Sequence, residues 1–228
     1  MQTMTQHPLS PYLAAGFYTD ALSKGRHRDI VGGRWDETGR AQMAVLRAEG
    51  LAPQHRLLDI GAGSLRLGCK AVPYLDPGHY WGTDQSGALM QRGYTVELAH
   101  KDRLPQTQLI EDANFGFPGI PANIDYAIAF AVFTHLPDGH LATALTNISA
   151  KFPTLHRLLF TVFLAPDRTT HKTRFRQPDG VVTHPDRAPY HMLADTVFQI
   201  AGASGFVVTR KDTQLPRGQT LFVAQRRA

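Results

Sequence analysis

Short apolar runs alternating with amphipathic stretches predict an α/β chain, a three-layer α/β/α sandwich around a mostly parallel sheet of seven strands that ends in an antiparallel hairpin. Three observations carry this. The alternation runs unbroken from "RLLDI" at Arg56 to "RLLFTVFL" at Arg157. One run, "IDYAIAF", is almost wholly apolar, as a central parallel strand covered on both faces should be. The last two runs, "FVVTRKD" and "TLFVAQRR", are separated only by "QLPRGQ", too short for a parallel crossover, so one of them must run antiparallel.

The elements follow in order. Up to about residue 50 the chain reads as a helical cap, with "DETGRAQMAVLRAEG" amphipathic and Gly50 its stop. "RLLDI" is the first strand, and Ser64 is the expected N-cap of a helix over "SLRLGCKAVPYL", which Pro73 should end early. "HYWGTD" is the second strand, followed by a helix through "SGALMQRGYTVEL" and a third strand "QLIED". After the fourth strand, "DGHLATALTNISAKF" places Leu141, Leu145 and Ile148 on one stripe of a helix. The stretch 166–190 is polar, rich in Pro and Arg and without period, which predicts a functional loop or lid inserted in a single domain spanning 1–228. A helix over "YHMLADTVFQIAGASG" precedes the hairpin.

The 228 residues are 43% hydrophobic and 19% charged, the composition of a globular chain rather than a disordered one. A net charge of +5 makes nucleic acid or an acidic small molecule conceivable as partner, but the surplus is spread thinly, which argues against nucleic acid. The single Cys69 excludes an internal disulfide and a cysteine-cluster metal site, and it fits a reducing cytoplasm. The N-terminal stretch lacks the pattern of a signal peptide, and "YAIAFAVF" is far short of the roughly 20 residues of a membrane helix. His171 and His184 lack metal-ligand spacing, so no metal is expected. The oligomeric state is not legible in the sequence.

The chemistry concentrates in "RLLDIGAGSLRLG". Gly61 and Gly63 allow a tight turn at the end of the first strand, where open parallel sheets bind ligands. The stretch is half of a dinucleotide fingerprint, with Arg66 where the third glycine should stand. Asp59, two residues before Gly61, is badly placed beside a pyrophosphate and well placed beside a cation. Asp84 ends the second strand 23 positions beyond Gly61, where a carboxylate can accept both protons of a ribose diol. A ligand with a ribose, no phosphate and a positive group satisfies all of this. S-adenosylmethionine (SAM) is such a ligand.

"LLDIGAGS" resembles the first motif of class I SAM-dependent methyltransferases, "YWGTDQS" the second, "LIEDANFGF" the third, and "IDYAIAFAVFTHLP" the fourth strand and its loop. The resemblance covers about residues 55–165 and implies a Rossmann-like fold that transfers a methyl group from SAM, leaving S-adenosylhomocysteine (SAH). Leu65 departs from it, standing where many members have glycine. By position, the resemblance puts Gly61, Ala62 and Gly63 along the methionine part and Asp59 near its ammonium. Asp84 would hold the ribose, with Gln85 flanking the ribose or the adenine. Asp112 would meet the adenine amino group with Ala113 beside it, and Phe130 and Ala131 would pass the methionine end. Arg34, in "RDIVGGRWDETG", is where some small-molecule members reach the SAM carboxylate.

The acceptor is read from what is present and what is absent. The loop after the fourth strand has no D-P-P-Y or N-P-P-Y, Cys69 lies away from it, and "FAVFTHL" resembles the loop of small-molecule O-, N- and C-methyltransferases. His135 is the candidate general base, its ordinary pKa near 6.5 suiting proton transfer at neutral pH. Within 166–190, His171, Arg174 and Tyr190 are the expected acceptor contacts, where bases would meet a phosphate or carboxylate. An RNA or protein methyltransferase, or a SAM-binding protein without catalysis, is the alternative.

Overall fold

The computed structural model describes residues 10–14 and 16–227. Before the sheet come α1 (Phe17–Ser23) and α2 (Trp35–Ala48). The alternating part is β1 (Leu57–Ile60), α3 (Gly68–Tyr74), β2 (Tyr80–Asp84), α4 (Gly87–Val96), β3 (Leu109–Glu111), β4 (Tyr126–Ala129), α5 (Asp138–Lys151) and β5 (Arg157–Leu164). The rest is β6 (Phe175–Arg176), β7 (Val182–Thr183), β8 (His191–Met192), α6 (Ala194–Ala203), β9 (Phe206–Lys211) and β10 (Thr220–Arg226).

The strands order as β3-β2-β1-β4-β5-β10-β9. β1 to β5 pair in parallel, and β10 lies between β5 and β9, antiparallel to both. Chain order reverses at β1, whose neighbours are β2 and β4, and a crevice opens beyond the carboxyl ends of the strands at such a switch point. The sheet gains an eighth, two-residue strand, because β8 pairs in parallel with the end of β5 (Phe163 opposite His191). The sequence places Tyr190–Met192 in the last helix; instead His191 and Met192 are both buried against the sheet and the helix starts at Ala194.

Two apolar layers sandwich the sheet. On one face α5 and α6 pack Leu141, Leu145, Ile148 and Val197 against Leu158, Phe160 and Phe222. On the other, Val45 and Leu46 of α2, Val72 of α3 and Met90 of α4 pack against Leu57, Leu159 and Leu221. Each fully buried leucine contributes on the order of 2 kcal/mol of transfer free energy. α3 ends at Tyr74, one residue past Pro73, which removes an i→i−4 hydrogen bond and so helps to end the helix. It begins at Gly68 rather than at Ser64: residues 61–67 form turns, and the Ser64 hydroxyl donates to the His27 carbonyl (2.9 Å) instead of capping a helix. α4 crosses these turns closely. A Cβ at Gly93 would lie 2.2 Å from the Ser64 carbonyl oxygen, so only glycine lets the helix approach.

The segment 166–190 is built rather than shapeless. The Asp167 carboxylate accepts from the N–H groups of Thr169 (2.8 Å) and Thr170 (2.7 Å). β6 and β7 pair antiparallel, and Gln177 donates to the Leu164 carbonyl and the Thr183 hydroxyl (both 3.1 Å). Among the described residues no helix is long and apolar enough to cross a membrane.

Candidate active site

A cavity of about 440 Å³ lies beyond the carboxyl ends of β1 to β5 and is closed on one side by Tyr12, Tyr18 and residues 29–33. Its floor is the turn after β1. Gly61 (φ 73°) and Gly63 (φ 56°) both take left-handed conformations and both line the cavity. Gly61 and Ala62 donate their N–H groups to the Thr83 carbonyl (2.7 and 2.9 Å), which ties the turn to β2. Ala62 therefore supports the floor from beneath and is not on the wall. Leu65 is itself left-handed (φ 62°), a conformation that costs a leucine roughly 1–2 kcal/mol. Its side chain is fully buried, and that burial offsets the cost.

Asp84 faces the cavity from the end of β2. Its Oδ2 accepts from the Gly63 N–H and its Oδ1 from the Ser86 N–H (both 2.9 Å), so both oxygens are oriented and each keeps a lone pair for a further donor. Burial raises its pKa to about 6, against the lowering effect of those two N–H groups. Gln85 is on the wall beside it and donates to the Tyr18 hydroxyl (2.6 Å). Asp112 and Ala113 line the cavity beyond β3, but the Asp112 carboxylate is taken up locally. It accepts from the N–H groups of Asn114 (3.0 Å), Gly116 (3.2 Å) and Phe117 (2.7 Å), so its first role is to hold a turn.

Asp59 corrects an expectation. It is not on the cavity wall. It is 2% exposed under the glycine turn, and its Oδ2 accepts from the Tyr80 hydroxyl at 2.6 Å. Burial raises its pKa to about 7, so near neutrality it is only partly charged.

Beyond β4, Phe130 and Ala131 line the cavity. Ala131 is left-handed (φ 61°), and its N–H donates to the Thr161 hydroxyl (2.8 Å), which donates in turn to Gln219 Oε1 (2.6 Å). That relay pins the turn carrying the next residues to β5 and β10. His135 follows in a short 3-10 turn, with its ring on the wall and Nδ1 buried without a hydrogen-bond partner. Burial, then the Arg217 charge, lowers its pKa to about 4. Burial thus holds His135 neutral at pH 7 and makes it a weaker base than an ordinary imidazole.

Arg34 is a second correction. It is off the wall, paired with Asp179 (3.1 Å) and Glu37 (3.7 Å) near the surface. The cavity's cations are two arginines that sequence reasoning did not place there. Arg66 is 7% exposed and donates from Nη1 to the carbonyls of Val31 (2.8 Å) and Gly33 (3.3 Å). Burial, opposed by the Asp59 carboxylate, lowers its pKa to about 10. Arg217, between β9 and β10, donates from Nη2 to the Gly32 carbonyl (2.6 Å). Neither forms an ion pair among the described residues, where the paired carboxylates all have other partners. The sequence signal for Arg66 was its place three residues after Gly63, which counted only as a missing glycine.

The third correction concerns 166–190. His171, Arg174 and Tyr190 are not on the wall of this cavity; Val181 and Pro189 are that segment's contributions. The His171 ring lies tilted against that of His191 (5.5 Å between ring centres, 59° between planes), and the His171 backbone carbonyl accepts from His191 Nε2 (3.2 Å). Tyr190 is buried, and its N–H donates to the Thr134 carbonyl (2.7 Å).

No protein-family model matches the chain. Among solved structures it is similar to magnesium protoporphyrin IX methyltransferase from Synechocystis PCC 6803 with bound SAH, at 18% identity and TM-score 0.60 over 92% of this chain and 96% of that one. It is also similar to a S-adenosylmethionine-dependent methyltransferase from Clostridium acetobutylicum, at 8% identity and TM-score 0.62 over 92% and 99%. A third is a DhpI–SAM complex, at 13% identity and TM-score 0.61 over 93% and 99%. The chain shares with these proteins the Rossmann-like three-layer α/β/α fold.

Proposed function

We propose that this protein is a SAM-dependent methyltransferase acting on a small molecule, working as one domain in a reducing cytoplasm. The carrying observation is Asp84. It ends the strand beside the glycine turn, faces the cavity, and has both oxygens oriented by backbone N–H groups with lone pairs to spare. That is a receptor for a ribose diol. The solved structures of like fold include complexes with SAM and SAH, which supports the same reading.

The residues fit the group. Gly61 and Gly63 admit its amino-acid part without a Cβ in the way, Gln85 and Ala113 flank its nucleoside, and Phe130 and Ala131 lie along the path to the reacting centre. Arg66, buried and without a carboxylate partner, takes the role expected of Arg34 toward a carboxylate, since a buried cation is costly until an anion meets it. When bound, SAM supplies an electrophilic methyl group on a sulfonium. The chain's own part is to align an acceptor with it and to exclude water. His135, neutral and with an unpartnered Nδ1, orients the acceptor by a hydrogen bond rather than acting as a strong base.

Calorimetry tests this. The protein should bind SAH with a micromolar Kd and show no heat with NAD. Binding of NAD in place of SAH contradicts the assignment.

A further inference from the structure

We infer that the methyl acceptor is a small carboxylic acid with an apolar body, whose carboxylate docks on Arg217 and whose nucleophilic hydroxyl meets His135. The inference rests on the methyltransferase reading and names the substrate class of the same cavity.

The cavity wall is uneven in negative charge. Its carboxylates are Asp29, before α2, and Asp84 and Asp112, at the ends of β2 and β3. The half beyond β4, β5 and β10 has none among the described residues; its polar groups include His135, His140, Arg217 and Gln219. Between them stand Leu136, Phe163, Val181, Pro189 and Pro216, an apolar surface suited to a ring or a short hydrocarbon body.

Arg217 is held there at a cost. It is left-handed (φ 67°), as is Gly218 after it (φ 70°), and such a conformation in a non-glycine residue persists only where its surroundings fix it. The bond to the Gly32 carbonyl uses one N–H and leaves the others of its fork for a planar anion, which a carboxylate matches. Arg217 and His135 line the same cavity, and the Arg217 charge adds to burial in lowering the His135 pKa. The His135 ring is on the same wall, edge-on to Tyr12 (4.9 Å between ring centres), with its buried Nδ1 unpartnered among the described residues. Arg66 and Arg217 reach consecutive carbonyls of residues 31–33, so the two cations are neighbours, and the effect of Arg217→Gln on SAH decides which anion each one meets.

The test uses the intact protein saturated with SAH, with 4-hydroxybenzoate, its amide 4-hydroxybenzamide and benzoate as probes in ligand-observed NMR. The acid should bind at least tenfold more tightly than the amide. Arg217→Gln should abolish that preference while leaving the melting temperature and the SAH affinity within about twofold of wild type. His135→Asn should weaken 4-hydroxybenzoate and leave benzoate unchanged. Equal binding of acid and amide, or binding of neither, overturns the proposal. So does an Arg217→Gln protein that folds but loses SAH, since Arg217 then serves the nucleoside ligand. Failure of wild type to bind SAH is a different result and removes the methyltransferase reading beneath it.

Discussion

The half of the cavity over β1 to β3 carries carboxylates beside the buried Arg66, and the half over β4, β5 and β10 carries none among the described residues. The first presents carboxylates held by backbone N–H groups, with Asp84 raised by burial to a pKa of about 6. The second presents Arg217 and a neutral imidazole whose pKa burial has lowered to about 4. In both, burial disfavours the charged form. The difference is in what restores it. Asp84 keeps its charge through donors supplied by the turn, and further donors on a ligand would hold it more firmly. Nδ1 of His135 has no such partner among the described residues. One half is therefore preorganised for hydroxyl donors, and the other waits for a molecule that brings its own hydrogen-bonding group and negative charge.

pH acts most strongly on the contrast between the two halves. A ribose diol needs the ionised Asp84, so binding favours the charged form. Protonation of the free protein opposes binding once pH falls below about 6. SAH affinity measured by titration should be flat above pH 7 and drop about tenfold for each unit below about 6. A flat profile down to pH 5 means that Asp84 does not serve as the acceptor. Arg66→Ala comes next. It removes the buried cation and leaves the Val31 carbonyl unpaired, a loss on the order of 1–3 kcal/mol. Both SAH affinity and melting temperature should fall, whereas Arg66→Lys should recover part of the affinity. Arg34→Ala should do least. Its ion pairs with Asp179 and Glu37 are solvent-exposed and worth about 0–1 kcal/mol, so SAH affinity should stay within twofold. A tenfold loss would restore Arg34 to the site.

The first half was legible in the sequence because its function depends on backbone turns at strand ends, and those have a local signature. Gly61, Gly63 and Asp84 stand at the ends of strands that apolar runs reveal, and all three are on the cavity wall. Asp59 carried the same signature but its side chain points under the turn, a matter of strand-face alternation that spacing alone did not resolve. The second half is assembled from long-range contacts. Arg217 sits in "QLPRGQ", which reads as an ordinary turn, and only the antiparallel pairing of β10 with β5 carries it over the cavity. Conversely the basic run in 166–190 looked like an acceptor site by composition. Its Asp167 turn, its β6–β7 pair and the Gln177–Thr183 bond fold it largely onto itself. The late start of α6 has a similar origin: His191 and Met192 suit a helix by composition, but the exposed end of β5 offered a strand to pair with.

The most direct test of the two-ended cavity is a side-by-side SAH titration of Asp84→Ala and Arg217→Gln, each checked for native melting. Loss of charge-assisted hydrogen bonds worth about 1.5–3 kcal/mol predicts a tenfold or greater loss of affinity for Asp84→Ala. Arg217→Gln should change SAH affinity less than twofold if the cavity is two-ended. The reverse ranking would contradict a two-ended cavity.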